Sequence, residues 1–127
     1  MPATHMSRCW THKFADAFRG LWRAVRTQSS FAVHISLAII ALVMAAALSV
    51  SPIEWCLIVL AIGFVLAAEV FNTAIESLAQ VHDVGHHPRI RDALDMASGA
   101  VLAAAITSGV IGLTIFMPKL FWLVFGN

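Results

Sequence analysis

A polar stripe runs through one of the most apolar stretches of the chain. The segment AEVFNTAIESLA, residues 68–79, includes the polar side chains Glu69, Asn72, Thr73 and Glu76. On an α-helix, which turns by about 100° per residue, these four positions share one face. Two carboxylates and an amide on one face can bind a divalent cation, abstract a proton, or hydrogen-bond to a neighbouring helix or subunit.

The position of these carboxylates in an apolar stretch limits the roles that they can have. An ionisable side chain at membrane depth costs on the order of 3 kcal/mol, so it normally faces a cavity or a partner. A functional site is therefore favoured over a polar clamp between helices. The stripe by itself leaves both interpretations open.

The composition describes a chain whose solvent is mostly lipid. Of its 127 residues, 60% are hydrophobic and 12% are charged, and the net charge is +1. These values predict an integral membrane protein, and the near-neutral balance suggests no nucleic-acid partner.

The apolar pattern predicts an all-α membrane protein with one membrane domain over residues 1–127. About 20 helical residues cross a hydrocarbon core of about 30 Å. A short arm over residues 1–10 precedes a basic amphipathic helix over residues 11–29, which we expect in the membrane surface. Three runs are long enough to span a bilayer: residues 31–50, 55–79 and 96–125.

The two connections between spans differ in charge, which predicts orientation. The hairpin SPIEW has no Lys or Arg, and Ser51 with Glu54 forms a capping box. The connection over residues 80–95 and the N-terminal helix carry most of the cations. The N-terminus and the 80–95 connection are therefore predicted to face the cytoplasm, with the polar stripe near that boundary.

The histidines and glycines carry weaker signals. We expect His34 to be an interhelical or head-group-level hydrogen-bond partner and not a catalyst. His82, His86 and His87 lack a structured ligand set, so solvated or nucleotide-adjacent histidines are favoured over a metal site. Small residues in the last span predict close helix packing: Gly99, Gly109 and Gly112.

The motifs also carry a family resemblance. AEVFNTAIESLA, followed by HHP and ALDMASGAVLAAAI, resembles the signature of the prokaryotic diacylglycerol kinase and undecaprenol kinase family. AFRGLWRAVRTQSSFAVHI, SPIEW and IGLTIFMPK also resemble it, especially the undecaprenol kinase branch. The resemblance implies a trimeric helical bundle in the bacterial inner (plasma) membrane. It also implies transfer of the γ-phosphoryl group of ATP, with Mg²⁺ as cofactor, to diacylglycerol or undecaprenol.

The resemblance also implies roles for individual residues. Glu69 would be the general base for the lipid hydroxyl, with Asn72 beside it. Glu76 would hold Mg²⁺ together with the ATP phosphates. Further nucleotide contacts are implied at Arg19, Gly20, His87 and Asp95.

Three positions depart from the family pattern. The family usually has a lysine at Leu94, a metal-binding glutamate at Gln28 and an aspartate at Gln80. Gln28 keeps an oxygen ligand for Mg²⁺ but removes a charge, whereas Leu94 removes a cation from the phosphates. We expect a rearranged site in which Arg91 or Arg89 supplies the missing cation.

The sequence therefore predicts a membrane lipid kinase, and two alternatives remain at this point. One is a weakened or inactive family member that acts as a lipid-binding or scaffold protein. The other is a small ion or proton carrier with Glu69 and Glu76 as its relay.

Overall fold

The chain folds into four helices, with no strand in the ranges described by a computed structural model, residues 10–81 and 87–126. The helices are α1 (Trp10–Thr27), α2 (Ser29–Ala47), α3 (Pro52–Val81) and α4 (Pro88–Phe125). α2, α3 and α4 are each long and apolar enough to cross a membrane. The predicted all-α class and its three spanning helices are confirmed.

Several helix boundaries differ from the predicted ones for local reasons. Gln28 has an extended backbone, with φ −114° and ψ 124°, so α1 ends at Thr27 and α2 begins at Ser29. α4 begins at Pro88, ahead of the membrane span predicted over residues 96–125, and proline suits the first turn of a helix. His82 and His86 lie outside the described residues.

α1 has the surface properties expected of an interfacial helix. Only Ala24 is buried, while the aromatic side chains of the helix are exposed. The Arg26 guanidinium lies 5.3 Å from the centre of the Trp22 ring, so a cation stacks on an interfacial aromatic. This arrangement suits a helix lying between head groups and acyl chains.

The α2–α3 hairpin closes one end of the bundle. The backbone N–H of Ser51 donates to Glu54 Oε2 over 2.7 Å, and the Glu54 N–H donates to Ser51 Oγ over 3.3 Å. The predicted capping box is thus confirmed. Glu54 Oε2 also lies 3.2 Å from Lys119 Nζ, which ties the start of α3 to α4. An apolar core cluster lies at the same end: Ala45, Val50, Ile58, Ile115 and Phe116.

α3 packs most extensively against α4. The Ser108 hydroxyl of α4 donates to the Ala61 carbonyl of α3 over 3.1 Å. An added Cβ at Gly99 or Gly109 would meet no atom within 4 Å, and at Gly112 only a Phe116 ring carbon at 3.9 Å. Among the described residues of one chain, the predicted close packing at these glycines is absent. The glycine faces are left open for lipid or another copy.

Candidate active site

Glu69 is the buried centre of the polar stripe. Only 3% of this residue is exposed, on the face of α3 that meets α2. Its Oε1 lies 3.0 Å from His34 Nε2, and the Ser30 hydroxyl donates to its Oε2 over 3.1 Å. Ser30 and His34 are four residues apart on α2 and therefore share one helix face. Both carboxylate oxygens have a partner, which offsets the desolvation of the group.

Glu76 lies two turns along α3 and is only half-buried. Gln28 Nε2 donates to Glu76 Oε2, and Asn72 Nδ2 donates to Glu76 Oε1, both over 2.8 Å. The extended residue between α1 and α2 directs the Gln28 amide to α3. The junction between α1 and α2 thus meets α3 at Glu76.

Two buried polar atoms beside these carboxylates lack a hydrogen-bond partner among the described residues. They are Asn72 Oδ1 and Thr73 Oγ1, on residues that are 9% and 6% exposed. An unsatisfied buried polar group costs about 1–3 kcal/mol, so native proteins rarely keep one without a use. Their unmet bonding capacity favours a bound polar ligand over a simple clamp between helices, which would not require it.

The oxygen ligands available around Glu76 suit Mg²⁺. The carboxylate of Glu76 and the amide oxygens of Gln28 and Asn72 are the hard oxygen ligands that this ion prefers. The free Asn72 Oδ1 supplies such an oxygen without breaking a bond. In the described ranges no group of three or more His, Cys, Asp or Glu side chains could hold a metal. A Mg²⁺ ion here would take its remaining ligands from water and substrate phosphate, as Mg²⁺ commonly does.

The two carboxylates lie at different depths along α3. At 1.5 Å per residue, Glu69 is roughly 22 Å and Glu76 roughly 33 Å from Glu54 along the helix axis. If Glu54 marks one edge of a hydrocarbon core of about 30 Å, Glu76 reaches the opposite edge and Glu69 stays roughly 8 Å inside. A membrane-embedded hydroxyl can therefore meet Glu69, while a water-borne ligand meets Glu76.

An apolar groove of about 270 Å³ opens next to Glu69, between α2, α3 and α4. Its lining is almost entirely aliphatic, and its polar members are His34 and Ser108. On α3 the lining residues end at Leu66, one turn before Glu69. His34 thus lines the end of the groove nearest the buried carboxylate.

The match to known proteins decides the family. The family model for prokaryotic diacylglycerol kinase matches residues 15–116, which include all of α2 and α3, most of α1 and α4, and both carboxylates. The chain belongs to that family.

Relatives of this diacylglycerol kinase family member carry two names. The chain is 41% identical over 107 residues to an undecaprenol kinase of Bacillus subtilis, covering 84% of this chain and 87% of that protein. It is 32% identical over 109 residues to a diacylglycerol kinase of Synechocystis sp., covering 84% and 62% of the two chains. It is also 32% identical over 87 residues to a diacylglycerol kinase of Helicobacter pylori, covering 68% of each. No solved structure gives a significant match.

The structure brings only some of the predicted site residues together. Gln28 and Asn72 each donate a hydrogen bond to Glu76, and Glu69 lies on the same face of α3. Gly20 is exposed on α1, and an added Cβ there would meet nothing within 4 Å.

Within the described residues, the predicted nucleotide-binding residues on α1 and α4 form no hydrogen bond or ion pair with this cluster. Arg19 is exposed and pairs with Asp16 of its own helix at 3.3 Å. His87 is the N-cap residue of α4 and is exposed. Arg91 and Asp95 are also exposed, and within the described part of the chain neither side chain makes a hydrogen bond or ion pair. Their roles stay predictions.

Two contacts of Glu69 add to what the sequence analysis found. The prediction that His34 forms an interhelical hydrogen bond is confirmed, but its partner, Glu69, was not foreseen. Ser30 was not singled out at all. The signal that was available is the spacing of four residues between Ser30 and His34, which aligns two polar groups on an otherwise apolar helix.

Proposed function

We propose that this chain transfers the γ-phosphoryl group of MgATP to the hydroxyl of a membrane lipid, diacylglycerol or undecaprenol. Lipid kinase activity itself follows from the family. The observation that carries the finer assignment is the pair of carboxylates on α3, one buried and one at the bundle edge. The higher identity to an undecaprenol kinase favours undecaprenol as acceptor.

Glu69 is the proposed general base. The Ser30 hydroxyl already donates to its Oε2, which is the hydrogen bond that a lipid alcohol would make before reaction. The lipid O–H gives its proton to this oxygen while a bond forms between the lipid oxygen and the γ-phosphorus. The bond from that phosphorus to the bridging oxygen breaks, and ADP leaves with the electron pair.

Glu76, Gln28 and Asn72 are the proposed Mg²⁺ and phosphate end of the site. When bound there, the ion neutralises the charge that two carboxylates and a triphosphate would otherwise bring together. Gln28 and Asn72 hold Glu76 in place through its two oxygens. Further nucleotide contacts are proposed at residues on α1 and at the start of α4: Arg19, Gly20, His87, Arg91 and Asp95.

The chain is a membrane protein, and its finer placement belongs to the proposal. The cations of α1 and of the segment that opens α4 support a cytoplasmic N-terminus in a bacterial inner (plasma) membrane. Between 11% and 22% of the most apolar window of each spanning helix is buried within one chain. Such exposed faces are compatible with the proposed homotrimer and with lipid contact.

The test is a transfer assay on purified protein in detergent micelles, with labelled ATP and both lipids side by side. Glu69→Gln keeps the size of the side chain but removes the base, so lipid phosphorylation should fall at least 100-fold, as expected for a general base. Glu54→Gln is the matched control, because this carboxylate lies on the same helix at the opposite end, and it should retain activity. Normal turnover by Glu69→Gln would refute the assignment.

Assays on the same purified protein distinguish the kinase from a scaffold protein and from a proton carrier. A scaffold or lipid-binding protein would transfer no phosphate from ATP to either lipid. A proton carrier would give proton flux in liposomes without ATP, which the kinase proposal does not predict.

A further inference from the structure

His34 is the described histidine that contacts Glu69 and lines the apolar groove. Its Nε2 lies 3.0 Å from Glu69 Oε1, and its ring lines the apolar groove. About 19% of its side chain is exposed, so it borders open space and is not enclosed in the core. The side chain therefore links the groove to the proposed base.

The chemistry of the pair sets the direction of the hydrogen bond. In its proposed role as a base, Glu69 is a carboxylate that only accepts hydrogen bonds, so His34 Nε2 donates to Glu69 Oε1. Among the residues that the structure describes, the second oxygen, Oε2, is held only by the Ser30 hydroxyl. A lipid hydroxyl can take the place of that hydroxyl, because both donate one O–H. No alcohol can take the place of the imidazole on Oε1 without leaving His34 unpaired.

We propose that His34 is a positioning residue for Glu69, which holds Oε1 so that Oε2 faces an alcohol arriving from the groove. This inference rests on the proposed function, since it concerns the base of that reaction. A buried carboxylate has a broad terminal torsion, so one fixed oxygen decides where the other points. The His34 side chain is hydrogen-bonded to the base and also lines the end of the groove. It therefore couples lipid binding in the groove to the orientation of the base.

The test compares three substitutions of His34, one that removes its hydrogen-bond donor and two that place a donor at different distances along the side chain. His34→Leu removes the N–H and should lower kcat by about 10- to 100-fold, the loss expected for one charge-assisted hydrogen bond to the reacting base. The KM for ATP should stay the same, because the contacts of Glu76 are untouched. His34→Gln places an amide N–H near the position of Nε2 and should restore most of kcat. His34→Asn places it near Nδ1, too short to reach Oε1, and should not.

His12→Leu is the matched control, since this histidine lies exposed on α1 with no assigned role, and it should turn over like the wild type. A fully active His34→Leu would overturn the inference. Equal activity of the Gln and Asn variants would also overturn it, because a merely polar or structural role does not distinguish them. Should His34→Leu fail to fold by circular dichroism, the comparison of Gln with Asn decides.

A spectroscopic measurement separates this inference from the proposed function. In ¹⁵N-histidine NMR of the full chain in micelles, the wild type should show His34 protonated at Nε2, and Glu69→Gln should shift that signal. The shift is expected whether or not any lipid is phosphorylated. An absent shift would overturn the pairing, whereas a shift in Glu69→Gln together with a wild-type protein that phosphorylates no lipid would leave the pairing standing and defeat the kinase assignment.

Discussion

The hydrogen bond between Gln28 and Glu76 allows a quantitative prediction. Gln28→Glu turns a donor 2.8 Å from Glu76 Oε2 into a second carboxylate. After relaxation to about 4 Å, two unit charges repel by about 4 kcal/mol at an effective dielectric constant of about 20. Both side chains are half-buried, and solvent screening reduces the repulsion to about 2 kcal/mol. The lost hydrogen bond adds about 1 kcal/mol.

We therefore expect the free energy of unfolding of Gln28→Glu to fall by about 3 kcal/mol in Mg²⁺-free buffer. Mg²⁺ between the two carboxylates removes the repulsion, so millimolar Mg²⁺ should restore most of the loss. The assay is thermal unfolding followed by circular dichroism in micelles, with EDTA or with Mg²⁺.

Gln28→Met is the matched control for this experiment. It removes the hydrogen bond without adding charge, so it should lose only about 1 kcal/mol and show no extra response to Mg²⁺. If Gln28→Glu unfolds at the wild-type temperature in EDTA, the contact between Gln28 and Glu76 is wrong. An equal Mg²⁺ response of both variants would refute the charge argument.

Three further outcomes are expected. Arg91→Ala should raise the KM for ATP several-fold with little change in the unfolding temperature, since Arg91 is exposed; an unchanged KM in steady-state kinetics would count against its proposed cationic role. Ser30→Ala should lower the KM for the lipid acceptor, because Glu69 Oε2 loses its internal competitor. Ser36→Ala, whose hydroxyl bonds only its own helix over 2.8 Å, should not lower that KM, and equal effects in the transfer assay would refute the competition. Ser51→Ala should reduce the free energy of unfolding by about 1 kcal/mol through loss of the helix cap, and phosphoryl transfer to the lipid should be unaffected. An unchanged free energy of unfolding in calorimetry would argue against the capping box.

Much of the fold was predictable because its signals are local. The apolar runs predicted the three spans, since a lipid solvent demands long apolar helices. Ser51 and Glu54 predicted the capping box from their spacing alone. The boundary near Gln28 was missed, because nothing in the residue type itself announces an extended backbone between two helices.

The candidate site was only partly predictable. The alignment of Glu69, Asn72 and Glu76 follows from helical periodicity, and their proposed roles came from the family motif. The loss of charge at Gln28 was visible in the sequence, but its bond to Glu76 was not. Helix packing alone could reveal that Ser30 and His34 face Glu69, because these partners are separated by more than thirty positions in the chain.

By itself, the sequence determined that this is a three-span membrane protein with aligned acids at one end of its second span. These features depend on composition and on the helical period, which act over a few residues. The tertiary structure alone decided which partner binds each oxygen of Glu69 and Glu76, which buried atoms of the described residues have no partner, and where the groove opens. Those features depend on distances between helices, and such distances arise only when distant segments pack.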